Sequence, residues 1–123
     1  MKLLYTTTKD KQEAKGIAKE LLKEKLIACA NIHEIESVYE WKAEKDNNEQ
    51  AKTEIKEETE AVLIAKTTDD LVYEAMEKVK SMHNYECPCI LILPVETANK
   101  EYVEWVNSVV KRSEEHTSEL QSR

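Results

Sequence analysis

One glycine, two prolines and no phenylalanine stand in a chain of 123 residues. A single glycine excludes a Gly-rich phosphate loop of the Walker or dinucleotide type, since such loops need several residues lacking Cβ to close backbone N–H groups on phosphate. Three cysteines cannot all pair within one chain, so no disulfide framework is expected and a reducing, cytoplasmic setting fits. No apolar run approaches the roughly 20 residues that a membrane span needs. Met1-Lys2 leads straight into an apolar stretch, so a signal peptide is not expected either. Lys and Arg number 18 against 25 Asp and Glu, a net charge of −7. That balance argues against a nucleic-acid or anionic-membrane partner, which would need clustered cations. The length suits one domain with an ordinary apolar core.

What is present is a pattern stated twice. Leu3-Leu4-Tyr5-Thr6-Thr7-Thr8-Lys9-Asp10 and Leu63-Ile64-Ala65-Lys66-Thr67-Thr68-Asp69-Asp70 each place threonines and Asp after an apolar run. A helical stripe follows each copy. Ala14, Ile17, Ala18, Leu21 and Leu22 repeat at helical spacing, as do Leu71, Val72, Ala75, Met76, Val79 and Met82. Asp10 with Glu13 resembles a capping box, and Thr68 is placed to cap a second helix over residues 68–82. A second apolar run follows each helix, at 26–32 and 89–93. Two strand–helix–strand units in series predict βαββαβ, an α+β ferredoxin-like sandwich over residues 1–111. A third helix is expected over 100–111, with Val103, Val106 and Val110 on one side and Tyr102 and Trp105 beside them.

The second strand reads from Ile27 to Trp41, unusually long. Lys42 to Glu58 carries almost only charge and amide and reads as the solvated tip of a long β2–β3 hairpin, with the third strand beginning at Glu60. Residues 62–65 and 90–93 are apolar at consecutive positions, so both faces of those strands call for cover. Two helices cover one face; another copy of the chain is the expected cover for the other. Residues 112–123 have no periodic apolar face. They match the translation of a common sequencing adapter codon for codon, and are expected to form a non-native or disordered tail.

Several residues bear chemistry. Cys29 among Ile27, Ala28 and Ala30 reads as a small buried hydrophobe or as a soft-metal ligand. Cys87-Pro88-Cys89 is a C-x-C pair whose thiols share a side if the backbone is extended, and His83 lies four residues earlier. Thiolates and imidazole suit copper or another thiophilic ion, although two or three ligands in sequence do not by themselves make a site. His83 also reads as a plain helix cap, and Glu60 and Lys66 as surface charges at strand ends. Neither a Ser nor a Cys stands at recognisable spacing from a base, so no catalytic residue is singled out.

The motifs Leu-Ile-Ala-Cys-Ala-Asn (26–31), Ser-Val-Tyr-Glu-Trp (37–41), Glu-Ala-Val-Leu-Ile-Ala-Lys-Thr (60–67), His-Asn-Tyr-Glu-Cys-Pro (83–88) and Tyr-Val-Glu-Trp (102–105) together resemble the CutA family of divalent-cation tolerance proteins over roughly residues 2–110. The resemblance implies a ferredoxin-like protomer, a homotrimer, a cytoplasmic or organellar home and a link to copper and divalent-ion tolerance, without a settled catalytic activity. Two further readings accompany it: a PII-like ligand-sensing trimer with clefts between subunits, and an enzyme using His83, Tyr85, Lys66 and Glu60. Trp41, Glu60, Lys66, His83 and Tyr85 are the ligand-cleft candidates; Cys29, His83, Cys87 and Cys89 are the metal candidates. The chain departs from the family pattern at Asn84, where Pro is usual. It departs also at Cys87 and Cys89, where a branched apolar and an acidic residue are usual, and in a longer hairpin that lacks its customary Gly.

Overall fold

The structure is a computed structural model and describes residues 1–42 and 53–112. The elements run β1 (Lys2–Thr8), α1 (Lys11–Lys23), β2 (Cys29–Lys42), β3 (Thr53–Thr67), α2 (Val72–Met82), β4 (Ile90–Pro94) and α3 (Lys100–Val109). The four strands form one antiparallel sheet in the order β2-β3-β1-β4. This is the expected ferredoxin-like arrangement, with the third helix added at its end.

Alternation along the strands sorts the sheet into two faces. Leu4, Ala61, Leu63 and Ala65 turn toward α1 and α2 and meet Ala14, Ile17, Ala18, Leu21, Val72, Ala75 and Val79, all buried. Each large side chain fully buried there contributes roughly 1.5–3 kcal/mol. The repeated threonines lie within this architecture: Thr6, Thr8 and Thr67 are wholly buried. Their hydroxyls donate to the carbonyls of Cys89 at 2.7 Å, Asp10 at 2.8 Å and Leu26 at 2.7 Å. Each threonine thus ties a strand to the segment beside it, which no aliphatic residue of the same shape could do.

Asp10 caps α1, accepting from the Glu13 N–H at 2.8 Å. Glu13 reaches back as expected, but to the Lys9 N–H at 2.9 Å. The helix ends in a Schellman motif: Lys25 N–H bonds to the Leu22 carbonyl and Leu26 N–H to the Leu21 carbonyl. Lys25 takes the left-handed conformation, φ 58°, that this motif normally gives to glycine.

Several boundaries differ from the sequence reading; β2 runs Cys29–Lys42 where 27–41 was expected. The third strand starts at Thr53, not Glu60, because β2 and β3 pair in unbroken register from Cys29↔Lys66 to Lys42↔Thr53. Backbone pairing does not require apolar side chains, so it continues through the charged stretch. The remainder of the expected hairpin tip, residues 43–52, lies outside the described residues, as do residues 113–123 of the expected tail. The second helix starts at Val72 and has no side-chain cap. Thr68 contributes its backbone carbonyl to Leu71 and Val72 instead. The third helix ends at Val109, two residues short of the expected end, and Val110 closes it.

β1 pairs with β3 only from Ala61 to Thr67. Beyond that point Ile35–Lys42 and Thr53–Glu60 continue as a two-stranded ribbon, about 27 Å long at ~3.4 Å per residue. On the sheet face away from α1 and α2, Leu91 is 48% and Leu93 40% exposed. The apolar character of β4 on both faces is therefore left partly uncovered within one chain.

Candidate functional site

The ribbon outruns its neighbours, and the notch this leaves is bordered by the segment between α2 and β4. A cleft of about 450 Å³ lies there, lined by Thr7, Tyr39, Trp41, Lys56, Glu58, Glu60, Tyr85, Glu86, Cys87 and Cys89. Strand parity explains the ribbon's contribution. Tyr39, Trp41, Lys56, Glu58 and Glu60 all occupy one face of the β2–β3 ladder, in which Tyr39 is paired with Lys56 and Trp41 with Glu54.

The other wall is held by short polar contacts. The His83 ring is fixed at both nitrogens: Nδ1 accepts from the Tyr85 N–H at 3.2 Å, and Nε2 lies 2.6 Å from the Thr7 carbonyl. That pattern assigns the proton to Nε2, which donates to Thr7. The ring also packs on Tyr85, centroids 4.8 Å apart. Asn84 donates to Glu13 Oε2 at 2.6 Å, tying the same segment to the start of α1. The Thr6 hydroxyl holds the Cys89 carbonyl.

Two phenols donate to two carboxylates of β3, one from across the cleft and one along the ribbon itself. Tyr85 Oη bonds to Glu60 Oε2 at 2.5 Å, and Tyr39 Oη bonds to Glu58 Oε1. Burial, then the bond to Glu60, pushes the Tyr85 hydroxyl far above the usual phenol range. The bond to Glu58 raises Tyr39 to about 12. Both phenols therefore remain neutral donors at ordinary pH. Partial desolvation against the cleft wall, with the Glu60 charge nearby, raises the Cys89 thiol although its residue is exposed. A metal ion binding there must displace its proton. The rings of Tyr39 and Trp41 meet edge to face at 6.3 Å and 87°.

Of the cleft candidates, Trp41, Glu60 and Tyr85 line one space. His83 supports Tyr85 from behind rather than lining the cleft. Lys66 does not join them: its Nζ sits 5.5 Å from the Tyr102 ring centroid, toward α3. Glu60 lies within β3 rather than at its beginning. Of the metal candidates, Cys87 and Cys89 share the cleft and are exposed free thiols. His83 has both nitrogens engaged by backbone and offers no lone pair as placed. Cys29 is half-buried opposite Lys66, at the other end of the sheet from Cys89. Among the described residues, no three His, Cys, Asp or Glu side chains gather as a ready metal-ligand group. Thr7, Lys56, Glu58 and Glu86 were not legible as site residues. The signal that could have found Lys56 and Glu58 is their period-two alternation with Glu54 and Glu60.

Residues 2–109 match the protein family described as CutA1 divalent ion tolerance protein. The divalent-cation tolerance protein CutA of Archaeoglobus fulgidus is 36% identical over 108 residues, covering 88% of this chain and 96% of that one. Its namesake from Pyrococcus horikoshii is 36% identical over 112 residues, covering 91% of this chain and 100% of the other. Among solved structures, the crystal structure of CutA1 from P. horikoshii superposes with a TM-score of 0.79 at 35% identity, covering 91% of this chain and 100% of that chain. The structure of the periplasmic divalent cation tolerance protein CutA from A. fulgidus gives 0.78 at 36% identity, covering 90% and 100%.

Proposed function

The chain belongs to the CutA1 divalent ion tolerance family, and from that premise we propose that it takes part in divalent-metal tolerance by binding copper weakly through its cleft. One observation carries the reading: Cys87 and Cys89 open into the same cleft, beside Glu58, Glu60 and Glu86. Sulfur ligands favour Cu(I), and carboxylates add negative charge without completing a rigid cage. An open, two-thiol site of this kind suits reversible capture better than permanent storage. The relatives are named for divalent-cation tolerance rather than for a reaction, and no residue is given a catalytic role.

The assembly proposed is a homotrimer. It is supported by the uncovered apolar character of Leu91 and Leu93, and by Trp41 standing 46% exposed at the end of β2. A cytoplasmic setting is proposed on the free thiols, which a reducing compartment preserves.

The experiment is elemental analysis of protein purified under reducing conditions without added metal, then exposed to a limiting, chelator-buffered copper supply. The parent should retain more copper than Cys87→Ser with Cys89→Ser, and should release it to excess chelator. Equal copper in parent and double variant overturns the reading.

A further inference from the structure

The chain's one glycine, Gly16, stands in the middle of α1, where it weakens the helix relative to alanine. Nothing in the fold requires it: its φ is not positive, and a Cβ there would meet no atom within 4 Å. The same exposed side of the helix carries Lys11, Lys15, Lys19 and Lys23, one every fourth residue, a row about 18 Å long at ~1.5 Å per residue. Ammoniums at that spacing repel one another. No carboxylate offsets them: among the described residues none of the four enters an ion pair. Glu13 and Glu24 turn the other way, to Asn84 and Lys78. Leu22 follows Lys15 by seven residues, so it shares the lysine side, and it is 42% exposed. Gly16 precedes Lys19 by three residues and Lys23 by seven, so it adjoins the row. The lysines thus form a ridge of the i, i+4 kind, and the missing side chain at Gly16 lowers the ridge beside it, leaving a groove that a second helix can enter closely.

We propose that this side of α1 docks an acidic helix of another protein, whose carboxylates, one every fourth residue, lie along the lysine row while its backbone approaches at Gly16 and an apolar side chain meets Leu22. Charge complementarity favours this occupant over an extended polyanion. A nucleic-acid duplex or an anionic bilayer meets the field of the whole molecule, whose net charge is −7 with these lysines counted. A single acidic helix feels chiefly the charges within a Debye length, about 8 Å at physiological salt. The proposed trimer uses the sheet face away from α1, so assembly leaves the lysine row outward. The cleft thiols take no part, and the proposal does not depend on copper binding.

The test is titration of the full chain with a capped, alanine-based helical peptide of about 20 residues carrying Glu at every fourth position and a Leu beside the row. The same peptide with Gln in place of each Glu is the control. The acidic peptide should bind saturably, at least about tenfold more tightly than the Gln peptide, and more weakly as salt is raised. Lys15→Gln with Lys19→Gln should weaken binding by roughly tenfold. Gly16→Ala should move two readouts in opposite directions: the melting temperature rises, as it does for alanine in an exposed helix interior, while peptide binding weakens by roughly tenfold. Cys87→Ser with Cys89→Ser should bind the peptide as the parent does, which separates this surface from the copper reading. Absence of saturable binding overturns the proposal, as does equal binding of the Glu and Gln peptides. Binding left unchanged by the double Gln variant or by Gly16→Ala overturns it too, and so does a preference for phosphatidylserine vesicles or duplex DNA over the peptide.

Discussion

Replacing Tyr85 by Phe removes one hydroxyl and nothing else. That hydroxyl donates to Glu60 Oε2 at 2.5 Å, and hydrogen bonds to charged groups are worth roughly 1.5–3 kcal/mol. Tyr85 and Glu60 are half-buried, so water can reach Glu60 once the phenol is gone, and the cost should fall near the lower end, about 1.5 kcal/mol. At fixed protein concentration this corresponds to a fall in melting temperature of several degrees, at about 4–8 °C per kcal/mol for a small domain. The pH dependence is more diagnostic. Because folding raises the Tyr85 phenol above its ordinary value of about 10, its contribution is fully present below that pH. It is lost as pH rises above it, since the unfolded chain gives up the proton first. The gap in stability between parent and Tyr85→Phe should therefore be constant from about pH 7 to about pH 9 and shrink beyond about pH 10. Thermal or urea unfolding across that range measures it. A gap that does not change with pH, or a variant as stable as the parent at neutral pH, would refute the reasoning.

Trp41→Ala should weaken the proposed trimer, seen as a lower average mass by light scattering at micromolar concentration; a variant that assembles as tightly as the parent places the interface elsewhere. Lys25→Gly should raise stability by up to about 1 kcal/mol, because glycine adopts the left-handed Schellman position without the Cβ penalty; an unchanged or lower urea midpoint contradicts this. Deleting residues 112–123 should leave melting temperature and assembly unchanged, since the segment has no apolar face to pack; a clear drop in melting temperature would show otherwise.

Hydrophobic periodicity made most of the fold legible. The stripes at Ala14–Leu22 and Leu71–Met82 became the two covering helices, and the repeated threonines marked equivalent strand ends. The extent of β3 was not legible. Thr53–Thr59 are all exposed, and a strand held by backbone pairing alone leaves little apolar signature. The same blind spot hid Lys56 and Glu58 from the cleft, because a charged ribbon and a solvated loop share a composition. Cys87, Cys89, Tyr85 and Glu60 were legible as chemistry-bearing residues. Their meeting was not, since Glu60 and Tyr85 lie 25 positions apart and only the placement of the α2–β4 segment beside β3 brings them together. His83 stood out by residue type, but its backbone partners, which make it a support for Tyr85, depend on the tertiary position of Thr7.

The thiols of the cleft carry the proposed copper binding, and a competition titration against a Cu(I) chelator under reducing conditions tests it directly. Affinity should fall at least about tenfold in Cys87→Ser with Cys89→Ser and change little in Glu60→Gln. In the parent it should rise with pH, because partial desolvation and the Glu60 charge raise the Cys89 thiol and the ion must displace its proton. Equal Cu(I) affinity in the double variant and the parent would contradict the account.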